Sequence, residues 1–281
     1  MKRWNTCWLA LTLGMIVMQA TSATAGEKIT VGKKATRLVS FDQVSHAAWD
    51  KMLKQFCDRD GYVDYAGWKR SKADQIALDK YLATLSAGNP KAPSSPEGKL
   101  AFWINAYNAV TVWGILHEFP TTSIRNHTAK VFGYNIWHDL LLTVGDETVS
   151  LDTIEHKILR KAGENRIHFA IVCASVGCPR LRNEAYSKDK LEAQLADNTR
   201  DFFSRSTNFR IDRATHVVQV SSILDWFGED FGETPQAGLA SLADYLPKSA
   251  GAALAQGQFS VKYLDYDWAL NDQATRNTAR R

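Results

Sequence analysis

The chain has 281 residues, with 34 Lys and Arg against 30 Asp and Glu, a formal charge of +4 and 45% hydrophobic residues. Such a balance argues against an electrostatic nucleic-acid surface, and the length suits a single domain with a sizeable core. Nine Trp, nine Tyr and twelve Phe point to a densely packed interior or an aromatic-lined cleft.

Residues 1–25 read as a cleaved signal peptide. Lys2 and Arg3 precede the apolar run "CWLALTLGMIVM", and Ala23 and Ala25 supply the small residues before a cut at Gly26. The apolar run is shorter than the ~20 residues of a spanning helix. A periplasmic or secreted protein with no stable membrane anchor is expected. Lys2 and Arg3 are the only charged residues removed, which takes the formal charge from +4 to +2. Cleavage also removes Cys7 and leaves Cys57, Cys173 and Cys178, so at least one sulfur stays outside any intramolecular bridge.

Residues 26–40 are expected as a linker and residues 41–271 as one globular domain. "SHAAWDKMLKQFC" has helical spacing with Ser45 as N-cap. "DRDGYVDYAGW" lacks the glycine and glutamate positions of a calcium loop and reads as a turn leading into a short extended segment. Ser95, Pro96 and Glu97 then start a helix that runs through "KLAFWINAYNAVTVWGILHEF" to Pro120. It is apolar nearly all round, which predicts a central helix buried on most sides.

Asn105 and Asn108 lie on one side of that helix and must find partners if buried. They either pin a neighbouring loop or line a binding site. "WHDLLLTVGDETVSL" predicts a hairpin turning at Gly145 and Asp146, and Ser150 caps a helix carrying Asp152, Glu155 and His156. "RIHFAIVCA" reads as a strand covered on both faces. A helix capped by Ser187, a strand in "THVVQVSS", a short helix in "ILDWFGEDF" and an extended "QFSVKYLDYDW" follow. Residues 272–281 read as a disordered basic tail. The pattern predicts an α/β or α+β domain with a long buried central helix and a mixed, largely antiparallel sheet.

The segments "FWINAYNAVTVWGIL", "VSLDTIEHKILR", "RIHFAIVCASVGCPRLRNEAY", "SSILDWFGEDF" and "YLDYDWALN", in this order, resemble the family called domain of unknown function 547. The resemblance covers about residues 95–271. It implies a compact domain found in exported bacterial proteins and in plant and animal chains, sometimes beside glutaredoxin-like domains, with no assigned activity. It falls on Asn105, Tyr107, Asn108, Glu155, His156, Cys173, Ser175, Cys178, Pro179, Leu181, Asp225, Trp226, Asp230, Phe231, Tyr266, Asp267 and Trp268.

The residues leave several chemistries open. Cys173 or Cys178 could act as a thiol nucleophile or redox pair, with His156 as base and Glu155 or Asp152 orienting it. Alternatively a Cys173–Cys178 disulfide staples a non-catalytic binding or interaction module for a small molecule, peptide or protein. Zinc on Cys173, Cys178 and His156 ranks third because the spacing is not C-x-x-C, so no metal ligand is assigned. Gly-rich phosphate loops, G-x-S-x-G and H-E-x-x-H are absent, and no cofactor is assigned. Arg180 and Arg182 could hold an anionic group, with Glu184 beside them, or could simply form ion pairs.

Overall fold

The computed structural model describes residues 28–129, 134–248, 250, 254 and 259–279. The expected signal peptide and residues 280–281 of the expected tail lie outside the described residues. Four helices open the fold: α1 (Ala47–Phe56), α2 (Tyr65–Arg70), α3 (Lys72–Leu85) and α4 (Pro96–Glu118). As the sequence predicts, Ser95 Oγ accepts from the Gly98 amide (3.0 Å) and Pro96 stands in the first turn of α4. Residues 101–112 of α4 are buried without interruption. Each large apolar side chain buried in this way contributes roughly 1.5–3 kcal/mol, so α4 is the axis of the larger core. α1, α3 and the first sheet pack around it.

The sheet differs from expectation. Among the described residues there are two three-stranded sheets, each with one parallel and one antiparallel pair. In the first, β2 (Leu140–Val144) and β3 (Glu147–Ser150) form the hairpin predicted around Gly145 and Asp146. β1 (Ile29–Val31) lies parallel to β2 on the other side, so the segment expected as a linker contributes a strand. In the second sheet β5 (Val217–Ser221) lies between β4 (Phe209–Asp212) and β6 (Ser260–Leu264). This sheet packs on a second apolar cluster built from Phe169, Phe202, Phe203 and Val220, with α7 (Leu191–Ser204) contributing two of these rings. The whole is a mixed α+β domain.

Other segments depart from expectation for identifiable reasons. After the turn at Asp58–Gly61, Val63 bridges Cys57 and Asp272 as the expected short extended segment, and a helix that was not expected follows at once. Asp64 Oδ1 accepts from the Gly67 amide at 2.7 Å and starts α2. Gly61 has φ +89°, and a Cβ there would lie 2.6 Å from Arg180, so close passage of this turn under the 180s loop requires glycine. The Ser187 turn precedes α7, which begins at Leu191. Gln273–Ala279 is a helix, α10, where a disordered tail was expected, and Arg276 on it pairs with Asp58 at 2.7 Å and with Asp60. α5 (Ile136–Asp139) leads into β2 and α6 (Leu151–Thr153) follows β3, so the two flank the hairpin, and α8 (Ile223–Trp226) and α9 (Pro235–Ser241) follow β5.

"RIHFAIVCA" is not a strand. Asn165–Phe169 is a 3₁₀ turn and the chain then runs irregularly through Cys173. Buried irregular backbone must still be hydrogen-bonded, and here asparagines take the place of neighbouring strands. The Asn108 amide donates to the Ala170 carbonyl (3.0 Å) and accepts from the Val172 amide (2.9 Å). Asn198 on α7 donates to the Phe169 carbonyl at 2.6 Å. Asn105 treats Tyr186 likewise, donating to its carbonyl (2.8 Å) and accepting from its amide (3.0 Å).

Candidate functional site

The irregular run ends in the loop that carries both cysteines. Ala174, between Cys173 and Ser175, has φ 54°, a left-handed conformation that non-glycine residues adopt at a cost. The C-terminal segment holds the loop there. The Asn271 amide donates to the Ala174 carbonyl, Val176 N–H to the Ala269 carbonyl and Gly177 N–H to the Asp267 carbonyl, all within 3.1 Å. A Cβ on Gly177 would lie 3.0 Å from the Asp267 nitrogen, so this approach needs a residue without a side chain.

The outcome is a pair of adjacent free thiols. Cys173 Sγ lies 2.8 Å from Cys178 Sγ. That is well beyond the ~2.05 Å of a disulfide bond and within reach of a shared proton. Three further donors face Cys178 Sγ: the Cys173 amide (3.1 Å), the Tyr266 hydroxyl (3.0 Å) and the Ser175 hydroxyl (3.3 Å). Ser175 Oγ is also 2.9 Å from the Tyr266 hydroxyl and can donate to only one of the two.

Burial by itself would raise the Cys178 thiol. The hydrogen bonds from Cys173, Ser175 and Tyr266 outweigh it and bring the pKa down to about 6. Cys173 moves the other way, well above the usual thiol range, because its hydrogen bond to Cys178 and its burial both favour the protonated form. The donors converge on Cys178, so the charge resides there and the shared proton on Cys173. A thiolate is the nucleophilic form of cysteine.

The two sulfurs open onto a cavity of about 290 Å³. Glu155 and His156 line it too, so all four candidate catalytic residues share one concavity. Glu155 and His156 sit on Ile154–Leu159, a π-helical stretch continuing α6, where a plain α-helix was expected. Such stretches re-aim side chains and recur at functional sites. The roles expected of these two residues are not the ones the geometry gives them. Among the described residues no hydrogen bond joins either sulfur to a histidine. His156 Nδ1 faces the Arg160 guanidinium at 3.2 Å and its Nε2 lies 3.7 Å from Asp152. Glu155 does not orient His156; it accepts from the Tyr107 hydroxyl at 2.9 Å, and burial raises its carboxyl against that bond.

Behind His156, His168 is buried and stacks on Phe227 (4.3 Å), with Nε2 2.8 Å from Asp230 Oδ2. Burial lowers it to about 4 against the pull of Asp230. Arg160 binds the same carboxylate at 2.5 Å, and also Glu229.

The residues expected to bind an anion or line the site lie elsewhere. Asn105 and Asn108 are buried with both ends of each amide on backbone groups, so they shape the loops and present nothing to a ligand. Arg180 bonds Asn198 (2.8 Å) and Asp197, and Arg182 bonds Glu184 and Asp197 (2.5 Å each). These pairs tie the 180s loop to α7, and their charges are compensated there. Among the described residues no group of three or more His, Cys, Asp or Glu is placed to hold a metal ion. No described helix is long and apolar enough to cross a membrane.

The resemblance falls on Ser175, Trp226, Tyr266 and Trp268 without giving them a role, and it leaves out Trp137. Tyr266 and Ser175 supply two of the donors to Cys178, and Trp226, Trp268 and Trp137 form a rim. Trp226 and Trp268 stack at 5.6 Å and 24°, with Tyr266 4.6 Å from Trp268. The cluster "YLDYDW" carried the available signal. Tyr266 packs against both apolar clusters, so the site lies where the two cores meet. No curated protein and no solved structure matches the chain. Residues 92–203, which hold α4, the cysteine loop and α7, match the family described as "Protein of unknown function, DUF547".

Proposed function

We propose that this protein is a thiol–disulfide exchange protein whose reacting pair is Cys178 and Cys173. One observation carries the reading: the sulfurs lie 2.8 Å apart, with hydrogen-bond donors gathered on Cys178. The Cys178 thiolate attacks one sulfur of a substrate disulfide, forming a mixed disulfide and expelling the other half as a thiolate. Cys173 then gives up its proton and attacks Cys178 Sγ. A Cys173–Cys178 disulfide forms and the second substrate thiolate leaves. Two electrons pass from the protein to the substrate disulfide, and the reverse sequence oxidises a substrate dithiol. The reading takes the mature chain as exported, into a compartment where disulfides form and persist.

His156 is not the base in this scheme, since Cys178 reaches its thiolate through hydrogen bonds without an imidazole partner. His156 and Glu155 are polar walls of the cavity.

The test is equilibration of the purified protein in glutathione buffers of graded ratio, followed by acid quench, alkylation and peptide mapping. A reversible Cys173–Cys178 disulfide with a definable midpoint is expected, with Cys57 alkylated only after denaturation. Cys57 is buried, donates to the Leu181 carbonyl at 3.2 Å, and is held well above the usual thiol range by burial. A pair that forms no disulfide at any ratio would leave the cavity as a binding pocket with no redox role.

A further inference from the structure

The walls of the cavity say which disulfides this site would take. We infer that the partner of Cys178 is a small, uncharged disulfide carrying a flat aromatic group, which stacks on the shelf formed by Trp226, Trp268 and Tyr266. The inference rests on the exchange reading above and narrows it.

Size is the first argument. A cavity of about 290 Å³ is at the small end of pockets that hold small molecules, roughly 300–1,000 Å³. Cys178 lies at its floor with only 4% of its surface exposed. A disulfide on the surface of a folded protein does not reach that sulfur; a slender molecule does.

Shape and polarity come second. Trp226 is 46% exposed, unusual for a large ring in a protein with this much buried aromatic surface. It sits 4.8 Å from Tyr266 and 5.6 Å from Trp268, and the Tyr266 hydroxyl reaches Cys178. One side of this shelf is thus continuous with the reacting sulfur. Aromatic rings in offset or tilted contact gain about 0.5–1.5 kcal/mol beyond their burial, so a planar group bonded to the substrate sulfur has a ready surface.

Charge is the third. Among the described residues no lysine or arginine lines the cavity, whereas Asp152 and Glu155 do, beside the Cys178 thiolate. Of the two nearby guanidinium groups, Arg160 is held by Glu229 and Asp230, and Arg125 lies 5.2 Å over the Trp268 ring at the shelf. An anionic group would meet like charge at the floor, where Asp152 and the Cys178 thiolate lie. A cationic one would meet Arg125 at the shelf. A neutral ring avoids both.

Three disulfides separate these arguments: dithiodipyridine (neutral, aromatic), dithiobis(nitrobenzoate) (anionic, aromatic) and bis(hydroxyethyl) disulfide (neutral, aliphatic). The rate of Cys178 modification in the reduced full chain would be measured for each, divided by its rate with free cysteine thiolate, and assigned by peptide mapping. A hydrophobic-pocket contact discriminates by about ten- to two-hundredfold. Dithiodipyridine is therefore expected to exceed both others by at least about tenfold after normalisation, and Trp226→Ala to reduce that advantage severalfold. Normalised rates within a factor of about three of one another, or an advantage that survives Trp226→Ala, would overturn the substrate class while leaving the exchange reading intact. Failure of every probe to label Cys178, with reaction at free cysteine proceeding normally, would overturn the exchange reading itself.

Discussion

The hydroxyl of Tyr266 lies 3.0 Å from Cys178 Sγ and joins a residue of the C-terminal segment to a thiol 88 positions earlier in the chain. A hydrogen bond to a charged group contributes about 1.5–3 kcal/mol, and one pKa unit corresponds to about 1.4 kcal/mol. Tyr266→Phe removes the donor and keeps the ring. We expect the Cys178 pKa, about 6 in the native protein, to rise by about one to two units in this variant. The pH dependence of thiolate absorbance or of iodoacetamide labelling reads this shift. An unchanged titration would mean that Tyr266 does not donate to the sulfur.

The opposed shifts of the two thiols set the proton stoichiometry of the redox couple. With Cys178 ionising near 6 and Cys173 well above 9, reduction of the disulfide takes up two protons below pH 6 and one above it. The midpoint potential should fall by about 59 mV per pH unit on the acid side and about 30 mV per unit from pH 6 to 9. A single slope across the whole range would show that the thiols titrate alike.

Asn108 spans Ala170 and Val172, the residues that lead into Cys173. Asn108→Ala leaves a buried N–H and a buried C=O without partners, each at about 1–3 kcal/mol. Urea unfolding should show the loss directly, and the loosened loop should raise the Cys178 pKa. Asn105→Ala carries a similar stability loss through Tyr186 and should leave the thiol titration near native. Equal effects of both variants on the thiol would mean that the segment after α4 is held as one unit.

Two histidines, His46 half-buried and His168 buried, make the fold acid-sensitive. His46, whose Nδ1 lies 2.7 Å from the Tyr81 hydroxyl, and His168 are both lowered from 6.5 to about 4 by burial. A histidine with a depressed native pKa binds more protons unfolded than folded between those values. Its stabilising contribution is complete above 6.5 and is lost as pH falls towards 4, by a few kcal/mol per residue. The urea midpoint should therefore drop steeply between pH 6.5 and 4. His168→Phe, which keeps the stack on Phe227, should flatten part of that slope. A flat wild-type profile would place both imidazoles in contact with solvent.

Local chemistry determined a good deal of this protein from its sequence. Ser95 and Pro96 start α4, its unbroken apolar surface places it in the core, and the glycine and aspartate at 145–146 turn the hairpin. Each rests on residues a few positions apart, so periodicity and capping reveal it. Tertiary structure decided the rest. Between Ile167 and Cys173 the apolar run matches a buried strand as well as it matches irregular backbone, and the choice was made by Asn108 and Asn198, distant residues whose amides supply the missing hydrogen-bond partners. Whether Cys173 and Cys178 form a bridge, a metal site or a poised dithiol was open for the same reason. What the tertiary structure adds is the pair of hydroxyls, from Ser175 and Tyr266, aimed at Cys178, and the satisfaction of buried polar groups is a property of long-range contacts that spacing along the chain does not encode.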